Sequence, residues 1–355
     1  MRRLLGFLRW LLMAQQQSGR NLAYILWDFI YLRRILGKLS KDEYLKFRLY
    51  VTSNQLRKTF LPYNQAVEYW KLLNPDIYAC LARDKYIAHS ILKMNNIPTS
   101  ELYLYYNPNV VVKSEFQAYD INGVMHILSQ KQIKSCVIKP AQDSAHGDGV
   151  IVCYDIVFED NTCYLKKYNG SYISLGDVLR DRPLLFEELI VQNQQFSLFN
   201  ASSVNTIRIM TALYPSSEVK VIAAFLKIGR CGSDVDIAGG GGNVDCAVDI
   251  KSGALYNVVE FNSWRDIRMV TNHPDNATKI DGEIIDGWEH IVAQIKVFQS
   301  RIPQLKIIGW DVAITDRGPI IIEFNNWWDS TGQLFIGRGW RHPVVECYNQ
   351  WSRIR

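Results

Sequence analysis

At 355 residues, 48% hydrophobic and 21% charged, the chain is long enough for one large domain or two to three ordinary ones. No stretch of 18 uncharged apolar residues is present, which excludes a bilayer-spanning helix, and without an RNP or zinc-finger pattern nucleic acid has no support as a partner. The net charge of +5 is uneven: residues 1–60 hold twelve Lys and Arg against three Asp and Glu, and the remainder holds 28 against 32.

The basic head predicts helices. Over residues 2–13, Arg2, Arg3 and Arg9 fall on one side of a helix and Leu4, Leu5, Leu8, Leu11 and Leu12 on the other. Such a helix either lies in a membrane interface or packs its leucines on the body of the protein. No small-residue cleavage site follows the short apolar stretch, so no secretory signal is expected. The expected compartment is the cytoplasm, with peripheral contact at the inner face of the membrane through residues 1–36 on the interfacial reading. Further helical patterns cover 22–36 and 41–60.

From about residue 78 the pattern becomes α/β. A helix over 84–94 stops before Asn95-Asn96-Ile97-Pro98. Strands are expected at 102–106, 136–140, 150–154, 184–189, 203–213, 219–228, 244–249, 307–314 and 319–324, and helices at 121–130, 175–180 and 286–300. Strands outnumber helices and several read as antiparallel hairpins, so the expected class is α+β with antiparallel sheets rather than a doubly wound parallel sheet. The seven cysteines, at 80, 136, 153, 163, 231, 246 and 347, form no CxxC pair and read as reduced core thiols.

Three segments carry chemistry. In Ile308-Gly-Trp-Asp311 to Ile322-Glu323-Phe-Asn325-Asn326, two apolar strands flank an Asp-Arg-Gly turn. Glu323 and Asn325 are two apart and share a face, and Asp311 on the partner strand can converge with them. Buried oxygens of this kind are costly unless neutralised, and Mg²⁺ wants this set, usually with nucleotide phosphates completing its shell. The alternative is a pair of solvated edge-strand residues. The second segment, Cys136-Val-Ile-Lys139-Pro through Gly147-Asp-Gly149, delivers a lysine at a strand end and then a two-glycine loop. Lysine can reach a phosphate as a point charge, and glycines let backbone amides come close to phosphate oxygens, although ordinary hairpins share both features. The third, Phe186-Glu187-Glu188-Leu189-Ile190, reads either as a hinge that holds adenine or as a strand running out into solvent.

Taken in order, these segments resemble the ATP-grasp superfamily, and within it the sugar-transfer-associated branch found with polysaccharide biosynthesis genes. The resemblance covers about residues 78–340. It rests on Asp84-Lys85, Val-Ile-Lys-Pro with the glycine loop, Phe-Glu-Glu-Leu-Ile, Asn205-Thr-Ile-Arg208, the run Gly239–Gly242, and Trp-Asp with Ile-Glu-Phe-Asn. It implies two α+β lobes gripping ATP: a basic helical segment over 1–77, then an ATP-grasp domain over 78–350 with a smaller lid lobe at about 136–190 and a larger lobe at about 200–340. By resemblance, Lys85 and Lys139 contact phosphate, Gly147 and Gly149 belong to the closing loop, and Glu187, Glu188, Leu189 and Ile190 form the adenine hinge. Asp311, Glu323 and Asn325 are the implied Mg²⁺ ligands, and Arg208 and Lys227 the basic residues near the transferred group. The implied cofactors are ATP and two Mg²⁺ ions, for which Mn²⁺ can substitute. The acidic ribose contact that usually follows the hinge is not evident, and Gln194 or Gln195 stands in that region. The implied reaction joins a small-molecule carboxylate to an amine or glycan precursor through an acylphosphate. A kinase that stops at phosphoryl transfer and a non-catalytic scaffold at a membrane-bound glycan assembly are the alternatives.

Overall fold

A computed structural model describes residues 2–111, 114–142, 147–160, 162–263 and 265–354, with side chains from residue 5 onward. The first elements are helical: α1 (Arg2–Ser18), α2 (Leu22–Leu36), α3 (Lys41–Lys46), α4 (Asn54–Arg57) and α5 (Tyr63–Leu73). Asn21 caps α2 by accepting from the Tyr24 amide, and Ser40 with Glu43 forms a reciprocal capping box at α3. The helix expected over 41–60 is two short ones, because Arg48 adopts φ +49 and stops the first, and Ser53 caps the second. The side chains of Arg2, Arg3 and Leu4 lie outside the described residues. Of the rest of that expected leucine face, only Leu11 is buried; α1 packs through Trp10, Leu11 and Ala14, while Leu5, Leu8 and Leu12 point outward. In the core of this layer Asp28 is fully buried, with Arg57 Nη1 at 2.6 Å from one carboxylate oxygen and the Tyr44 hydroxyl donating to the other at 2.8 Å.

The strands fall into three sheets. β1 (Leu102–Tyr106), β2 (Gln117–Ala118), β3 (Cys136–Pro140) and β4 (Ile151–Cys153) are followed by a small antiparallel excursion of β5 (Asp155–Glu159), β6 (Thr162–Lys166) and β7 (Tyr172–Ser174). β8 (Leu184–Glu187) then returns to the middle of the first sheet, whose order is β2-β1-β8-β3-β4. This sheet thus includes β1 and β2, which precede the stretch 136–190. The third sheet holds β9 (Thr206–Leu213), β10 (Val219–Ile228), β11 (Asn243–Val248), β12 (Leu255–Ser263), β13 (Asp266–Met269), β14 (Ile307–Thr315) and β15 (Gly318–Asn325), ordered β13-β12-β11-β10-β9-β14-β15 and antiparallel throughout.

Long apolar runs such as Ile307-Ile308-Gly-Trp310 and Ala223-Ala-Phe-Leu226 are explained by cover on both faces of this sheet. The helix Trp288–Ser300 supplies Ile291, Ile295 and Phe298 to one face, and α5 with the helix Arg341–Ser352 supplies Trp70, Leu73 and Val344 to the other. The sequence reading missed α5, β2, β5–β7, β12, β13, the helix Arg341–Ser352 and the short helices Cys80–Arg83, Gln194–Phe199 and Gly332–Ile336. Among the cysteines, all seven are free thiols and five are buried.

Candidate active site

The metal-ligand candidates sit on the β14–β15 hairpin, where Asp311 lies opposite Glu323 and Gly309 opposite Asn325. The register slips between Asp311 and Val312, so β15 carries one extra residue at Ile322. In a regular strand Ile322 and Glu323 would face opposite sides; the bulge lets both line the same cavity. β9 pairs with the other edge of β14 and sets Arg208 opposite Asp311. The Arg208 guanidinium grips the Asp311 carboxylate with two bonds, at 2.7 and 2.8 Å, and Lys227 Nζ from β10 stands 3.0 Å from Oδ1. Burial works against the charge on Asp311, but Arg208 and Lys227 outweigh it and hold the carboxyl well below the usual carboxylate range. Burial equally opposes the charge on Lys227, and Asp236 followed by Asp311 raises its pKa above the ordinary value.

The first sheet supplies the opposite wall. Asp84 caps the helix Lys85–Met94 by accepting from the Tyr86 and Ile87 amides, and the Lys85 amide donates to the carbonyl of Ala141 at the end of β3. Lys85 therefore begins its helix beside Lys139. Burial lowers the Lys85 pKa, and the nearby Glu323 partly offsets this. Lys139 Nζ lies 2.8 Å from Glu187 Oε2, which also accepts from Ser100 Oγ at 2.7 Å. The Glu187 side chain is thus committed to Lys139, while 188–190 leave regular structure and line the cavity.

One cavity of about 820 Å³ takes lining from Lys85, Lys139, Gly147, Glu187, Glu188, Leu189, Ile190, Arg208, Lys227, Asp311, Glu323 and Asn325. Of the expected site residues, only Gly149 is not on its wall. Gly147, at φ +72, packs against Val235, and an added Cβ would meet that side chain at 3.0 Å. The stretch 143–146 between Lys139 and this glycine lies outside the described residues. Neither Gln194 nor Gln195 lines the cavity, and Gln195 bonds instead to Ile284 and Asp286. Gln192 does line it, although its amide is spent on the backbone of Asn200, Ser203 and Asn205.

The structure also brings in residues that the sequence reading did not single out. Asp236, held by the Thr206 amide and hydroxyl, sits on the wall, and burial pushes its pKa up to about 6 against the pull of Lys227. Trp327, Trp328, Asp329, Phe335 and Trp340 line another part of the cavity, with the Arg83 guanidinium 4.9 Å above the Trp327 ring. The run Trp327-Trp328-Asp329 directly after Asn325-Asn326 was the available signal.

Among the described residues no group of three His, Cys, Asp or Glu side chains is poised for a metal. Two carboxylates and an amide remain a hard-oxygen set. Asp311 Oδ2 accepts from Arg208 and stands 3.5 Å from Asn325 Nδ2, and each carboxylate oxygen has two lone pairs, so it retains capacity for a cation. Turning the Asn325 amide would place its oxygen beside Glu323, whose Oε1 is 3.4 Å away. The donors fit Mg²⁺.

Two predictions arise here. Lys139→Met is expected to weaken binding of a non-hydrolysable ATP analogue at least tenfold and also to lower stability, because it strands Glu187; breaking such a buried pair costs roughly 3–5 kcal/mol. Lys139→Met combined with Glu187→Gln should regain most of the stability and none of the affinity. A double variant that binds the analogue normally would make Lys139 structural only. Separately, Asp245 on β11 is fully buried, its Oδ1 has no hydrogen-bond partner among the described residues, and burial raises its pKa to about 8 although the Gly239 amide pulls the other way. The folded protein then keeps a proton that the unfolded chain releases near pH 4, so stability falls as pH rises from about 4 to about 8. Asp245→Asn should flatten that slope in denaturant titrations, and an unchanged slope would show that Asp245 titrates normally.

A family model described as sugar-transfer associated ATP-grasp matches residues 64–347, beginning within α5. Solved structures similar to the chain include N5-carboxyaminoimidazole ribonucleotide synthetase from Thermotoga maritima, at 13% identity, 78% coverage of this chain, 52% of that one and TM-score 0.41. D-alanine–D-alanine ligase from Bacillus anthracis is 14% identical, with 77% and 68% covered and TM-score 0.39. D-cycloserine synthetase is 10% identical, with 82% of each chain covered and TM-score 0.43. The chain spans about half the length of the first of these. No curated protein matches it.

Proposed function

The chain belongs to the sugar-transfer associated ATP-grasp family, and from that premise we propose that it is an ATP- and Mg²⁺-dependent carboxylate–amine ligase. The observation that carries the reading is the convergence of four cationic side chains, Lys85, Lys139, Arg208 and Lys227, with Asp311, Glu323 and Asn325 on one cavity between two sheets. A triphosphate needs that density of positive charge, and phosphoryl transfer is catalysed chiefly by positioning and neutralising it.

In this reading a substrate carboxylate oxygen attacks the γ-phosphorus, the bond to the β–γ bridging oxygen breaks, and ADP leaves. An amine then attacks the acyl carbon of the acylphosphate, inorganic phosphate departs, and the amine loses a proton. Glu323, Asn325 and Asp311 would hold Mg²⁺, which would neutralise charge at the phosphates when bound. Lys85, from the start of its helix, and Lys139, from β3, bind phosphate oxygens. Arg208 and Lys227 are cross-braced by Asp311 and present fixed cations to the transferred group. Gly147 packs on Val235 at the cavity wall, where it would help to keep out water, which would otherwise hydrolyse the acylphosphate. The apolar side chains Val137, Val152, Leu189, Ile190 and Ile322 suit an adenine ring.

The aromatic part of the cavity is in keeping with a sugar-bearing substrate, for which Arg83, lying over Trp327, would offer a cation to a uronate. The test is ADP release from panels of uronic acids and amines, with product masses and hydroxylamine trapping. Amide product with a trapped hydroxamate is the expected result. ADP release with a phosphorylated product and no hydroxamate would make the protein a kinase, and no turnover across the panel would favour the scaffold.

A further inference from the structure

We propose that the outward face of the α1–α2 hairpin seats the protein on an anionic lipid surface, the two helices lying in the membrane plane. The observation is independent of the ligase reading. α1 packs on the body through Trp10, Leu11 and Ala14, and α2 through Ile25, Phe29, Leu32 and Leu36. On the reverse of α1, Leu5, Leu8 and Leu12 recur at i, i+3 and i+7, and Leu12 is 57% exposed. On the reverse of α2, Leu22, Leu26 and Ile30 recur at i, i+4 and i+8 beside Trp27, which is 59% exposed. A helix that buries one face and leaves a second apolar stripe in water has an unpartnered surface.

The charges on that surface identify its partner. Arg9, Arg20 and Arg34 are exposed around the two stripes, whereas Arg33 donates to the Leu39 carbonyl and Lys38 pairs with Glu68. The sole acidic residue before Asp42 is Asp28, and it is fully buried against Arg57 and Tyr44. The exposed charged side chains of the hairpin are therefore all cationic, with uncharged Gln16, Gln17 and Asn21 beside them. A second copy of the chain is a poor fit, because a two-fold contact through this face would set arginines against arginines with no carboxylate between them. Among the described residues no helix is long and apolar enough to cross a membrane, so the face lies on the bilayer rather than through it. Trp27, stacked on Tyr31 at 5.5 Å, is the amphipathic type of ring that favours the headgroup layer. The seat is joined firmly to the body: Glu43 of α3 accepts from Ser330, and Lys46 donates to Thr331 on the cavity wall.

The experiment is co-flotation of the full chain with vesicles of phosphatidylcholine alone and with phosphatidylglycerol added. Binding is expected to the anionic vesicles and to fall with salt. Leu8→Ser with Leu12→Ser and Trp27→Ser should weaken it roughly tenfold or more, and Arg9→Gln with Arg34→Gln should weaken it and flatten its salt dependence. Both variants should keep the melting temperature and ATP-analogue affinity of the parent, since the replaced side chains are exposed and distant from the cavity lining. Equal flotation of parent and variants, no flotation with anionic vesicles, or a concentration-dependent dimer that the leucine substitutions dissolve would each overturn the proposal.

Discussion

Glu323→Gln is expected to reduce ATP turnover by about 10²–10³-fold, the loss typical of removing one group that stabilises transition-state charge, while the melting temperature stays near that of the parent. Glu323 stands opposite Asp311 on the bulged hairpin, and Asp311 is already committed to Arg208 and Lys227. Glu323 is thus the carboxylate freest to take up a hard cation, and glutamine removes its charge without leaving a hole. Glu323 is partly exposed, and Lys85, whose charge it helps to balance, keeps Glu187 and Asp84 nearby, so less is stranded than by Lys139→Met. Steady-state ADP formation and thermal unfolding of the same preparation provide the check. Turnover within threefold of the parent would remove Glu323 from the metal set, and a collapsed melting temperature would make it a structural residue.

Arg57→Met is expected to have the largest effect on stability of any substitution outside the cavity. It leaves Asp28, fully buried on α2, with only the Tyr44 hydroxyl. Removing one partner of such a pair costs roughly 3–5 kcal/mol, whereas replacing both is often near neutral. A drop in melting temperature of roughly 6–20 °C follows for the single variant, and Asp28→Asn with Arg57→Met should recover most of it. Tyr44 supports the assignment from the other side: burial, then its bond to Asp28, push its phenol well above the usual tyrosine range. Equal melting temperatures for the single and double variants would show that Asp28 carries no charge in the folded state.

Much of the body was legible because its local signals were unambiguous. The runs at 102–106 and 219–228 are apolar, bounded by turn residues, and form β1 and β10 with the expected bounds. Asp311 and Glu323 stood out because charge inside an apolar strand needs a reason. What escaped depends on tertiary burial. Asp236 lies in a loop rich in glycine and aspartate, where nothing local separates a buried carboxylate from a solvated one, and its partner Thr206 is thirty residues away. The Asp28–Arg57 pair joins two helices across a separation of 29 residues. In α1 the leucines were seen, but a heptad of apolar residues on both sides does not say which side finds the body. The structure decides it through Trp10, which meets Phe29 and Tyr44.

The partners of α5 lie far along the chain, and this has a consequence for synthesis. Asn74 at its end bonds to the backbone of Ile307 and Asn326, and the Thr59 carbonyl just before it receives the Arg341 amide. A ribosome delivers the chain from its N-terminus at about 5–20 residues per second, so α5 waits roughly tens of seconds for its permanent neighbours. During that interval Trp70 and Leu73 have no sheet to cover, and the leucine stripes of the first two helices are also bare. The nascent chain therefore passes through a stage in which its most apolar helical surfaces lack their final cover, a stage suited to chaperone capture or to early contact with a membrane. Translation slowed between residues 78 and 300 should lengthen that stage and lower the soluble yield, whereas slowing confined to residues after 341 should not.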